Sequence, residues 1–236
     1  MSDRGVTLSI TVMHAPWSRA RAERIDALVA DLGGAYVVEA VRGAGVWDTA
    51  RRAWLAHGAL ATHHLVVQDD AVPCARFRER VLGAIAARPA HVVTLYTHRA
   101  REVAAARERG DAWAWGPDCA YGVASLMPVA MIAPFLAWCE SHVRADYPHD
   151  DNRLGLWARA TGRGVWTTVP QLVDHAPLPS TLRHRWTQGA PCPAGDDEIH
   201  WERGLVDPVV IRANVSTRHA LIDPTEVSTW PSPSPS

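Results

Sequence analysis

The sequence predicts an α/β sandwich with a mostly parallel central sheet. Three observations carry that expectation. Short β-rich runs, among them VTLSITV, YVVEAV and HHLVVQ, recur between segments of helical periodicity. Strand and helix signals alternate through most of the chain, the pattern that gives a parallel sheet covered by helices. With 236 residues at 47% hydrophobic content, the chain is long enough and apolar enough to bury a substantial core.

Val6–Val12 reads as the first strand. Ser18 caps a helix whose Ile25, Leu28, Val29 and Leu32 fall on one face, and Gly33–Gly34 ends it. Tyr36–Val41 is the second strand. WDTARRAWLAHG is a short helix that stops at Gly58. His63–Gln68 is the third strand and runs into Asp69 and Asp70. Pro73 opens a helix to about Arg88, and His91–Tyr96 is another strand. Tyr121–Met127 is a further strand, followed by helices over Pro128–His142 and DDNRLGLWARATG, then the strand GVWTTV. Beyond about Pro191 the periodicity dissolves. Residues 191–230 read as an extension that wraps the domain or forms an arm, and the Pro/Ser run at 231–236 as a disordered tail.

The formal net charge is −1, which gives no overall nucleic-acid signature. All the basic residues are Arg, a compositional bias that weakens any argument from arginine count. The four cysteines form no CxxC pair, so a structural zinc site is not expected. The start lacks a basic segment followed by a long apolar run, and PVAMIAPFLAWC is too short to span a bilayer. These features lead us to expect a cytoplasmic protein with reduced thiols and no membrane segment.

The acids after the third strand raise the main question, because buried carboxylates need a cation or hydrogen bonds. α/β sheets bind ligands beyond the carboxyl ends of their strands, which is where Asp69 and Asp70 stand. Strand alternation puts Gln68 and Asp70 on one face and Asp69 on the other. Turn capping is the competing explanation. Two further polar clusters sit at element edges: His149, Asp150 and Asp151 at a helix start, and Asp174 with His175 after an apolar run. Acids at a helix start also suit the helix dipole. Asp and His together are suitable ligands for a divalent metal.

In order, MHAPWSRARAERIDAL, VWDTARRAW, HHLVVQDDAVPC, YGVASLMP, YPHDDNRLGLWA and VPQLVDH resemble GT-A-fold glycosyltransferases, particularly small ones encoded by phages of high-GC hosts. The likeness covers roughly residues 6–185, and QDDAVPC resembles the DxD or EDD segment of such enzymes. It implies a Rossmann-like three-layer sandwich over residues 1–190, and a sugar moved from a nucleotide-sugar, with UDP the commonest nucleotide. It also implies Mn2+ or Mg2+ bridging the acidic motif and the diphosphate, where it stabilises the leaving group. By resemblance Asp70 and His175 take the metal. Asp69 or Gln68 orients ribose or water, and His14, Ala15 and Pro16 receive the base. Asp151 or Asp150 is the base of an inverting transfer. Gln68 departs from the full motif, which has an acid there. Arg42 and Arg52 could reach base or phosphate.

The resemblance also implies an acceptor: 5-hydroxymethylcytosine in phage DNA, produced by ten-eleven-translocation-like dioxygenases. The runs RFRER, HRAREVAAARERG and RHRW could contact phosphates. Trp113 and Trp115, in a loop-like segment, and Arg183, Arg185 and Trp186 are the expected acceptor contacts. A saccharide, protein or small-molecule acceptor is the alternative within the same chemistry. A metal-dependent phosphohydrolase or nuclease and a non-catalytic binding module are the alternatives outside it.

Overall fold

A computed structural model of the protein describes residues 5–118, 120–178, 190–212, 217–231 and 234–235. Its elements are β1 (Leu8–His14), α1 (Arg19–Ala22), α2 (Ile25–Asp31), β2 (Tyr36–Glu39), α3 (Val46–Leu55), β3 (His63–Gln68), β4 (Ala71–Pro73), α4 (Phe77–Ala87), β5 (Val93–Thr94), α5 (Ala100–Arg109) and β6 (Trp113–Gly116). They continue as β7 (Ala124–Pro128), α6 (Ile132–His142), α7 (Asp150–Ala160), β8 (Val165–Thr168), β9 (Val173–His175) and β10 (Val209–Val210).

Eight of these strands form one sheet in the order β10-β6-β8-β5-β7-β3-β1-β2. β1 pairs in parallel with β2 and β3, β5 with β8, and β6 with β10. β7 enters antiparallel between β3 and β5, and β6 runs antiparallel to β8. The sheet is therefore mixed, with parallel pairing in the majority. The alternation of side chains along its strands feeds two cores. Leu8, Ile10, Val12, Leu65 and Val67 point to the face covered by α2, α4 and α5. Met13, Val66 and Met127 point to the opposite face, where α3, α6 and α7 supply Trp54, Phe135 and Trp157. The result is a three-layer α/β sandwich compatible with a Rossmann-like fold.

Three local expectations are corrected. The single helix expected after Ser18 is broken at Glu23–Arg24 into α1 and α2. α1 carries Arg21 inward, and α2 buries Leu28. The strand expected over His91–Tyr96 shrinks to Val93–Thr94.

The segment with Trp113 and Trp115 is no loop. It is the interior strand β6, and the two indoles are 0% and 4% exposed. Trp113 lies edge-on to Trp166, with ring centroids 6.1 Å apart, and its Nε1 donates to the Trp201 carbonyl at 2.8 Å. Sequence reading took the neighbouring Gly, Asp and Pro as loop signals, but the partners that bury these rings come from distant parts of the chain. Trp113→Ala should therefore cost about 3–5 kcal/mol of stability, read by chemical denaturation, as truncating a large core aromatic does.

The extension joins the same domain. Ile199, Trp201, Leu205 and Val209 pack on the first core, β10 extends the sheet at β6, and Arg80 donates to the Asp197 carbonyl at 2.9 Å. Farther on, Ala220, Leu221, Val227 and Trp230 close over Val143, Tyr147 and Leu156. These anchors are irregularly spaced, so no periodic signal announced them. Among the described residues, no helix is long and apolar enough to cross a membrane.

A glycine seats α7. A Cβ at Gly155 would overlap the Asp118 backbone carbonyl, while Arg159 pairs with the Asp118 carboxylate at 3.1 Å. Gly155→Ala should lower stability by about 1–3 kcal/mol in a denaturant titration, because a backbone atom cannot rotate away as a side chain can.

Candidate functional site

Register explains what meets the opening acids. β1 and β3 pair in parallel with Met13 opposite Gln68, so the next residues, His14 and Asp69, leave the sheet side by side. The Asp69 N–H donates to the Met13 carbonyl at 3.1 Å. Both carboxylates are buried, Asp69 at 3% and Asp70 at 4% exposure. The cation between them is Arg21, itself 4% exposed. One guanidinium nitrogen pairs with Asp69 Oδ1 and the other with Asp70 Oδ2, the latter at 2.6 Å. Burial alone would pull the Arg21 pKa down, but the charges of Asp70 and Asp69 outweigh it and leave the pKa raised.

The two acids differ in what remains to them. Asp69 Oδ2 accepts from His14 Nδ1 at 2.9 Å and from the Ala15 N–H at 2.7 Å, so both its oxygens are engaged. Asp70 Oδ1 is buried and has no hydrogen-bond partner among the described residues. β4 and β9 then bring up an imidazole. Their antiparallel register sets Ala71 opposite His175, and the Ala176 N–H donates to the Asp70 carbonyl at 2.7 Å. His175 Nε2 lies 3.5 Å from Asp70 Oδ2. Nδ1 of His175 contacts the Ala176 carbonyl at 3.0 Å; a carbonyl only accepts, so Nδ1 carries the proton. In the neutral ring Nε2 then presents a lone pair toward a carboxylate. A lone pair and a carboxylate side by side are donors that a cation can share.

The second acidic pair closes the same rim. Asp150 and Asp151 begin α7 and are half-buried. Asp151 accepts from the Asn152 N–H at 2.8 Å, and the Gly122 backbone N–H favours its charged form. Gly122 separates this acid from the tip of β3: a Cβ there would sit 2.6 Å from Gln68 Nε2 and 3.5 Å from Asp151 Cβ. Desolvation, followed by the charge of Asp151, pushes the Asp150 pKa up to about 7. Desolvation also raises Asp151, against the backbone N–H groups that favour its charged form.

Two tyrosines stand near His175. The Tyr96 ring lies 6.0 Å from that of His175 and 6.2 Å from that of Tyr121, and Arg99 donates to the Tyr121 hydroxyl at 2.9 Å. Burial, then the charge of Asp174, pushes the Tyr96 phenol up to about 12, so it stays protonated. Arg42 stacks over the exposed Trp17 at 5.4 Å, beside the His14–Pro16 loop. Arg52 instead bonds Asp48 at 2.9 Å and the Glu39 carbonyl at 2.9 Å on the flank of α3. Arg183, Arg185 and Trp186 lie outside the described residues. Arg78 and Arg80 donate to the carbonyls of Leu8 and Asp197, and Arg109 pairs with Asp111 and Asp207. Much of the basic composition is thus structural.

The starting His63 and His64 of β3 are structural too. His64 is held between Ser9 and the Ala53 carbonyl, and burial pushes its pKa down to about 4. An open groove of about 650 Å3 lies at the other end of β1, lined by Leu8, Gly34, Tyr36 and Leu60, and has no acid or histidine in its wall. The chemistry gathers instead at the carboxyl ends of β1 and β3.

The sequence had marked His14, Gln68, Asp69, Asp70, Asp150, Asp151 and His175, and folding gathers them along this rim. Arg21, Tyr96 and Tyr121 were missed. Arg21 is separated from Asp69 by 48 positions and lies in an arginine-rich stretch, so nothing local distinguishes it. No protein-family model matches the chain, and no curated protein matches it.

Proposed function

We propose that the protein is a GT-A-like glycosyltransferase that moves a sugar from a nucleotide-sugar, with UDP as the nucleotide, to a hydroxyl acceptor. One observation carries the reading. Two acidic pairs with different environments share one rim at the carboxyl ends of parallel strands, joined across Gly122. One pair is buried and bridged by an arginine. The other is desolvated, which raises the pKa of both carboxyls, that of Asp150 up to about 7, and the pair suits proton transfer.

In this reading the donor diphosphate lies at Asp70 and the base near His14–Pro16. Asp151 takes the proton from the acceptor hydroxyl as it attacks the anomeric carbon, and Asp150 shares its titration. Gln68, against Gly122, orients the sugar between them. The unpartnered Asp70 Oδ1 and the His175 Nε2 lone pair fit a hard or borderline divalent ion such as Mn2+ or Mg2+. Asp69 does not fit as a ligand, since both its oxygens are used. Among the described residues no three metal-ligating side chains converge, so phosphate oxygens and water would complete the shell. Bound there, the ion would neutralise charge on the leaving diphosphate.

The acceptor reading, 5-hydroxymethylcytosine in DNA, rests on the sequence resemblance and on the exposed Arg101 and Arg107 of α5. The test is mass spectrometry of hydroxymethylated and plain DNA after incubation with a panel of sugar nucleotides and Mn2+. A hexose-sized mass gain on hydroxymethylated DNA alone supports the reading. Nucleotide release that needs no acceptor would favour a phosphohydrolase.

A further inference from the structure

The opening acids do not wait for a metal to neutralise them. Two carboxylates and one guanidinium leave a formal charge of −1 at the tip of β3, and all three side chains are buried. The guanidinium cannot lose its proton and holds one oxygen of each acid, a bridging geometry that its planar fork suits. A divalent ion cannot share that place while Arg21 is there, because the guanidinium already occupies the space between the two carboxylates. Among the described residues, the position the pair leaves open to such an ion is Asp70 Oδ1, on a carboxylate whose Oδ2 lies 3.5 Å from His175 Nε2. There the ion meets one net negative charge and a cationic neighbour already seated on Asp70 Oδ2.

We propose that Arg21 is a built-in counter-cation that sets the metal dependence of this site. It supplies, from within the chain, positive charge that a diphosphate at the acids would otherwise take from a divalent ion. It is a positioning residue: it fixes Asp70 with Oδ1 left over and holds metal affinity low. The inference rests on the donor-site reading above.

Two measurements test it. UDP binding to the wild-type protein is followed by calorimetry in EDTA and in millimolar MnCl2, and the two affinities should differ by less than about tenfold. Mn2+ alone is titrated and followed by electron paramagnetic resonance. Arg21→Gln should tighten its binding by about tenfold or more, while Arg21→Lys, which keeps the charge, should stay close to wild type. A merely structural role for Arg21 would not increase metal affinity. UDP binding that requires Mn2+, or an Arg21→Gln protein with unchanged Mn2+ affinity, would overturn the proposal. If Arg21→Gln does not fold, the wild-type UDP comparison decides alone. If neither condition gives UDP binding while Arg21→Gln gains Mn2+ affinity, the donor-site reading falls and control of the metal by Arg21 stands.

Discussion

Asp151→Asn is expected to lower sugar transfer by about 10²–10⁴-fold while leaving nucleotide binding unchanged, because the amide cannot accept the acceptor's proton. The side chain keeps its shape, and the Asn152 N–H that holds Asp151 still finds an oxygen. Donor affinity by calorimetry and transfer rate by mass spectrometry separate the two effects; equal loss of both would sink the base assignment. The wild-type rate should rise with pH, and the rise should lie above the ordinary carboxylate range. The two acids titrate as a pair, with Asp150 pushed up to about 7 by burial and by Asp151. The same shift has a stability consequence of opposite sign. A carboxyl whose folded pKa is raised binds its proton more tightly when folded. Its contribution is therefore fully present below pH 3.8, the unfolded value, and is lost as pH rises toward about 7. Asp150→Asn should accordingly raise the melting temperature more at pH 8 than at pH 4. An equal shift at both would show that the acid is not held protonated.

Arg21→Met is expected to destabilise the fold by about 3–5 kcal/mol, the usual consequence of removing one partner from a buried ion pair. The loss comes less from the broken bonds than from what they leave: Asp69 and Asp70, each under 5% exposed, facing each other without a cation. The control is a triple variant, Arg21→Met with Asp69→Asn and Asp70→Asn, which removes the charges together and should recover much of the loss. Urea titrations of both proteins make the comparison. A triple variant no more stable than the single one would place the stabilisation in Arg21 packing rather than in its charge.

The fold was legible where local rules govern it. β1 and β3 cluster apolar residues as their burial requires, and α6 and α7 fall within the spans their periodicity predicts. β6 and β10 were not legible. Trp113 and Trp115 sit among Gly, Asp and Pro, and Val209–Val210 is a two-residue pairing that no window can distinguish. The antiparallel entry of β7 was hidden for a related reason, since strand direction depends on where the chain returns.

The site shows the same division. Its acids and histidines were visible because polar residues at the ends of apolar runs are conspicuous and costly to bury. Their partners were not. The sequence determined that carboxylates would stand at the tip of β3 and that Asp150 and Asp151 would open a helix. Only the tertiary structure decided that Arg21 bridges the first pair, that Asp69 is consumed by Arg21, His14 and Ala15, and that Asp70 Oδ1 is left without a partner. The physical reason is register. Hydrogen bonding between distant strands sets which side chains share a few ångströms, and a carboxylate takes whichever cation or donor that pairing brings within reach.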